Sequence, residues 1–280
     1  MNSDALSDIG CQLGNGKLIL IFSAQRSGTR ALGKDLRDSM VDCSFDGELF
    51  GGFTPKSTRK FLESRFPMLT EIFGPYSWNE PISCEIEAMN RKSIMSDHAI
   101  EVVDNLLRSR SGCTIIKVFM NHLERQVLEE LLETFQPHII ILRRHMLFTL
   151  MSSLKARRIS GFVNVDTTNV TFQLNEVDVC SYVTQLDEWF DWAFEATRRA
   201  SCRTLAVSYS EVVEDGLGVE LVDFLSEGGL TSMQEAPGCD LAPTKVQDRR
   251  TDSSVLHLVQ AIRNLNEETL SSLLRLPGPQ

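Results

Sequence analysis

The chain has 280 residues, 42% of them hydrophobic, which is enough for one sizeable core; mixed α/β chains of this length are commonly undivided. A formal charge of −10 argues against a general nucleic-acid binder and weighs against long polyanionic acceptors, while leaving room for a local basic cleft. The seven cysteines (Cys11, Cys43, Cys84, Cys113, Cys180, Cys202 and Cys239) are scattered, odd in number and form no CxxC pair or His-Cys cluster, so they read as reduced, mostly packed thiols.

Residues 1–16 read as a flexible N-terminus ahead of one domain spanning 17–275. The N-terminal stretch is acidic, and the apolar run Leu18 to Phe22 is too short for a signal peptide or a membrane span, which makes the cytoplasm the expected compartment. That run predicts a strand leading into Arg26-Ser27-Gly28-Thr29-Arg30 and then directly into a helical pattern. Such a turn suits an anion. Gly28 permits tight curvature, Ser27, Thr29 and the first helical amides supply donors at the positive end of the helix dipole, and Arg26 adds a fixed charge. It is not a Walker A loop, since no Gly stands four positions before Gly28 and Arg30 replaces the expected Lys.

Residues 46–81 are rich in Gly, Pro, Phe and charge with weak periodicity, apart from a short helix around Ser57 to Arg65, and read as a segment shaping an acceptor pocket. Further strands are predicted at Thr114 to Phe119, Ile139 to Leu142 and Thr204 to Val207, each followed by a helical pattern. The alternation implies a parallel sheet with helical crossovers on both faces, and in such sheets ligands sit at the carboxyl ends of the strands. Arg26, Lys117 and Arg144 all fall near strand ends, so three cations converge on one edge. Ser152 lies eight residues beyond Arg144 in a helix that buries Leu147, Leu150 and Leu154; eight residues is slightly over two turns, so the two polar groups face the same way. Arg143 and Ser153 are the alternatives one residue away. Residues 159–175 read as a mobile lid or an edge hairpin. Tyr182, Leu186, Trp189, Ala193 and Phe194 recur at helical spacing between Ser181 and Arg199 and suit core packing, and 228–243 reads as a connector.

These motifs, in this order, resemble the sulfotransferases that use 3′-phosphoadenosine 5′-phosphosulfate (PAPS), in the soluble, bacterial type. Gln25-Arg26-Ser27-Gly28-Thr29-Arg30 is similar to the family's 5′-phosphosulfate loop, with Gln25 where Pro is usual and Arg30 where a second Thr stands; Arg30 either supplies charge or points elsewhere. Arg144 with Ser152 resembles the 3′-phosphate site, although His145-Met146 departs from the family's turn. Val207-Ser208-Tyr209-Ser210-Glu211 is similar to a strand end whose Tyr lies near adenine, and Pro243-Thr244-Lys245-Val246-Gln247 with Ile262-Arg263-Asn264-Leu265-Asn266-Glu267 to words of bacterial members, where a late basic residue, here Lys245, closes over the phosphates. The resemblance implies a P-loop-like α/β fold, PAPS as sulfuryl donor, a small-molecule acceptor, no metal requirement, no nucleic-acid partner and, only at family level, a homodimer.

Sulfuryl transfer needs a deprotonated or partly deprotonated nucleophile in line with the bridging oxygen, and positive charge where the departing phosphate gathers electrons. Arg26 and Lys117 are the candidates for that charge. The resemblance places the base at Glu48, in a Gly-Glu context 22 residues after Arg26, and the flanking Phe45, Leu49 and Phe50 predict a desolvated carboxyl with a raised pKa. Asp46 and His122 compete for the role, though Phe119 rather than His122 occupies the position of the family's Lys-Thr-His histidine. Two other functions fit the same loop: an atypical P-loop phosphotransferase, disfavoured by the missing Gly-Lys, and a nucleotide-binding protein without turnover.

Overall fold

The computed structural model describes residues 16–51, 55–67, 85–158, 174, 176–214, 217–230 and 265–278. The order of elements is β1 (Lys17–Ser23), α1 (Thr29–Ser39), β2 (Cys43–Phe45), a 3-10 turn (Leu49–Gly51), α2 (Lys56–Arg65), α3 (Glu85–Arg108), β3 (Cys113–Val118), α4 (Arg125–Phe135), β4 (His138–Arg143), α5 (Met146–Arg158), α6 (Glu176–Arg199), β5 (Thr204–Ser208), a π-helical turn (Ser210–Glu214), α7 (Val219–Glu227) and α8 (Glu267–Leu274). All four sequence-predicted strands are present: those predicted at Leu18 to Phe22, Ile139 to Leu142 and Thr204 to Val207 are extended by one or two residues, and the one predicted at Thr114 to Phe119 begins and ends one residue earlier. The three-residue β2 had no signal, being too short to express alternation.

The five strands pair in parallel in the order β2-β3-β1-β4-β5, with β1 at the centre. This is an α/β fold with one parallel sheet flanked by helices, consistent with the P-loop-like class. Continuous apolar strands are what such a sheet demands, because both of its faces are covered. Leu18, Leu20 and Phe22 face α3 to α6, where Val103, Leu131, Leu147, Trp189 and Phe190 pack. Ile19 and Ile21 face the other layer, formed by Leu32 and Leu36 of α1 and by Leu221, Phe224 and Leu225 of α7. Of the aromatics predicted for the core of α6, Trp189 is buried with its ring 5.7 Å from that of Phe22, while Tyr182 and Phe194 are partly buried against the core; Trp192, which was not predicted, lies 6.2 Å from Phe22.

Glycines set two approaches that the site depends on. Gly28 caps α1 at φ 85°, and Gly47 turns the chain at φ 65° directly after β2. Both conformations are left-handed and favour glycine. Gly33 of α1 lies against Phe45, whose ring leaves no room for a side chain there, and so sets the distance of α1 from β2.

Among the described residues, Cys43, Cys113, Cys180 and Cys202 are free thiols; Cys113 is buried, whereas Cys180 is exposed and departs from the packed expectation. No helix among them is long and apolar enough to cross a membrane. Residues 1–15, 52–54, 68–81 and 159–173, Lys245 and the motif residues 243–247 and 262–264 lie outside the described residues.

Candidate functional site

Each strand delivers one candidate residue at or just beyond its carboxyl end. In spatial order along that edge these are Glu48 after β2, Lys117 in β3, Arg26 after β1, Arg144 after β4 and Tyr209 after β5. Four strand spacings of ~4.8 Å separate the first from the last, a row of roughly 19 Å.

The middle of the row is the loop 24–28. Arg26 sits at φ 68°, a left-handed conformation for a non-glycine residue, which costs on the order of 1–3 kcal/mol and is typical of sites that constrain a side chain. Its Nε donates to Ser152 Oγ at 2.9 Å, and its carbonyl accepts from Arg144 Nη1 at 2.7 Å. The two motifs recognised separately in the sequence are thus joined by two hydrogen bonds through a single residue. Burial disfavours the charged form of Arg26 and lowers its pKa. Ser27 Oγ is buried and has no hydrogen-bond partner, an arrangement worth about 1–3 kcal/mol of lost solvation. Thr29 is buried beside it, whereas Arg30 is exposed on α1.

Arg144 and its neighbour Arg143 meet different rings. The Arg144 guanidinium lies 4.3 Å from the centroid of the Tyr209 ring, while that of Arg143 lies over Phe194 of α6 at 5.8 Å. The carbonyl of His145 accepts from the amides of Phe148 and Thr149, so His145 occupies the cap of α5 without the usual Pro in the turn. Beside it, Arg144, His145, Phe148, Ser208, Tyr209, Ser210 and Leu276 line a cleft of about 190 Å³.

At the β2 end of the row, the Gly47 carbonyl accepts from the Lys117 amide at 2.9 Å, which brings Glu48 over the end of β3. Glu48 Oε1 then lies 2.8 Å from Lys117 Nζ, and Oε2 lies 3.8 Å from His122 Nε2. Nδ1 of His122 accepts from the Phe119 amide at 3.3 Å, so in the neutral ring the proton is on Nε2 and faces Glu48. Gly51 permits this approach, since a Cβ there would stand 2.7 Å from Nε2.

The raised pKa expected for Glu48 is not what this environment produces. Burial pushes the carboxyl up, but the His122 imidazole and the Lys117 ammonium outweigh it and hold the carboxyl at about 2. The flanking apolar residues were legible in the sequence, whereas the two partners, 69 and 74 residues away, were not.

Asp46, the other carboxylate of this segment, is held by different partners. It is buried and clamped by Arg110, whose Nη2 donates to Oδ1 at 3.1 Å and whose Nη1 meets Oδ2, while Thr58 Oγ1 also donates to Oδ1. Arg110 further donates to Ser44 Oγ at 2.6 Å. With its oxygens engaged by Arg110 of the loop before β3 and by Thr58 of α2, Asp46 anchors the segment that carries Glu48. Arg110 had no sequence signal, because it stands in the loop before β3 and belongs to no recognisable motif.

No family model matches the chain, and no curated protein matches it. Among solved structures, the tunicamycin resistance protein of Deinococcus radiodurans superposes with a TM-score of 0.37 at 14% identity, covering 78% of this chain and 99% of that one.

Proposed function

We propose that the protein is a PAPS-dependent sulfotransferase acting on a hydroxyl or amine of a small metabolite, sugar or natural product. The observation that carries this reading is the joining of the 24–28 loop to the Arg144–Ser152 pair through Arg26. Two phosphate-type sites in direct contact, with an aromatic ring at one end and a carboxylate at the other, match a donor bearing two separated phosphates and a base moiety.

The residues present fit such a donor. The buried Ser27 hydroxyl lacks a partner that a phosphate oxygen would provide, Gly28 leaves the backbone bare at the N-terminus of α1, and Arg26 is a desolvated cation that an anion would stabilise. Arg144 and Ser152 would hold the 3′-phosphate, and Tyr209 would lie beside the adenine. Bound there, PAPS supplies an activated sulfuryl group whose transfer forms an S–O or S–N bond to the acceptor and breaks the S–O bond to the 5′-phosphate. Arg26 and the α1 amides stabilise the electron pair left on that phosphate. Glu48 takes the acceptor's proton, with His122 Nε2 standing 3.8 Å from its Oε2.

Calorimetric titration with adenosine 3′,5′-bisphosphate (PAP) tests the reading, with wild type beside Arg144→Ala and Ser152→Ala, and ATP with magnesium as the control. Micromolar PAP binding that falls at least about tenfold in both variants is expected. ATP-magnesium binding without PAP binding would replace the proposal with a phosphotransferase.

A further inference from the structure

The resting site has its candidate base and one of its candidate phosphate cations bound to each other. Lys117 Nζ holds Glu48 Oε1 at 2.8 Å, in a pair that is largely removed from water on both sides. Lys117 shares a sheet face with Ile21, its register partner on β1, and this is the face on which α1 packs. The loop that opens α1 leaves β1 two residues after Ile21, so Lys117 stands on the same side of the sheet as the N-terminal end of that helix.

A base whose negative charge is neutralised by an ammonium 2.8 Å away is a poor proton acceptor, and an ammonium engaged by a carboxylate is a poor phosphate ligand. Both groups are idle together and become competent together. From this geometry we infer that Lys117 and Glu48 form an interlock: Lys117 exchanges Glu48 for the donor's anionic group, and this exchange releases Glu48 to act on the acceptor. The donor therefore binds before the acceptor can be deprotonated. His122 stays with Glu48 through the exchange, because the Phe119 amide and the ring contact with Phe119 at 4.8 Å fix the imidazole.

The inference rests on the donor assignment above and is tested by PAP affinity rather than by turnover. If Glu48 competes with PAP for Lys117, removing the negative charge in Glu48→Gln tightens PAP binding, by about tenfold. The gain disappears on a Lys117→Met background, where there is no ammonium to compete for. Thermal unfolding of each variant confirms that the binding-competent protein is folded. PAP bound by Glu48→Gln with equal or weaker affinity than by wild type overturns the interlock and leaves the donor assignment standing. A gain that persists in the double variant also overturns it, since Glu48 then acts on the donor site by some route other than Lys117. Failure of PAP to bind any folded variant overturns the donor assignment and the interlock with it.

Discussion

The low pKa of Glu48 makes a prediction that stands apart from any ligand. A carboxyl that titrates near 2 in the folded chain and near 4.5 when unfolded keeps its charge in the native state while the unfolded state takes up a proton. Because the folded pKa is the lower one, the stabilisation is fully present above about pH 4.5 and is lost as pH falls towards 2. The whole shift corresponds to roughly 3 kcal/mol, and the side chain, 19% exposed, is buried enough for most of it to survive screening. Between pH 5 and pH 3 this residue removes about 2 kcal/mol. Other acids titrate in the same window, so the measurement is a difference: urea unfolding of wild type and Glu48→Gln at pH 7, 5, 4 and 3. Wild type is expected to be the more stable at pH 7, and its advantage to shrink by about 2 kcal/mol between pH 5 and pH 3. An advantage that stays constant over that range would refute the Glu48–Lys117–His122 electrostatics.

Asp46→Asn breaks the Arg110 clamp and leaves a guanidinium without its carboxylate in the loop before β3, at an expected cost of about 3–5 kcal/mol in denaturant unfolding; the PAP affinity of the folded fraction is expected to be unchanged, because the Asp46 carboxylate is engaged by Arg110 and Thr58 rather than by Lys117, Arg26 or Arg144. Gly33→Ala drives a Cβ to 2.3 Å from the Phe45 ring and should destabilise by about 1–3 kcal/mol, read as a lowered melting temperature. Gly51→Ala pushes His122 away from Glu48, so the Glu48 carboxyl should titrate above 2 in carbon-13 NMR while the Lys117 contact persists.

The sequence made the strands, the loop after β1 and the Arg144–Ser152 pairing legible for a physical reason: each is local. Leu18 to Phe22 is continuously apolar because the strand is covered on both faces, and Arg26 to Thr29 follows it within a few residues, so strand, loop and helix start are read in one window. Arg144 and Ser152 were visible together because a helix fixes the relation between positions eight apart. The charge state of Glu48 depends instead on Lys117 and His122, which reach it only because β2 pairs with β3 in a register that no local pattern encodes. The immobilisation of Asp46 by Arg110 has the same origin, 64 residues away in sequence and across one strand pair. Topology therefore had to be known before either carboxylate's role was readable.

The order of the row also explains why two acidic residues only two positions apart have different partners. The Asp46 amide bonds the Ile115 carbonyl and the Gly47 carbonyl bonds the Lys117 amide, so the segment after β2 continues alongside β3 by one more step before it turns away. Asp46 is thereby carried under the turn towards Arg110 and Thr58, where a carboxylate satisfied on both oxygens is a structural tie. Gly47 then takes a left-handed conformation, and Glu48 meets Lys117 at the carboxyl edge. A residue with a Cβ at 47 would resist that turn by about 1 kcal/mol or more and would misplace Glu48 without touching its chemistry. Gly47→Ala should therefore weaken the Glu48–Lys117 pair while the Asp46–Arg110 clamp persists, which predicts a raised Glu48 pKa by NMR with only a modest loss of stability. A Glu48 pKa unchanged in that variant would mean that the ion pair, and not the turn, sets the position of the carboxylate.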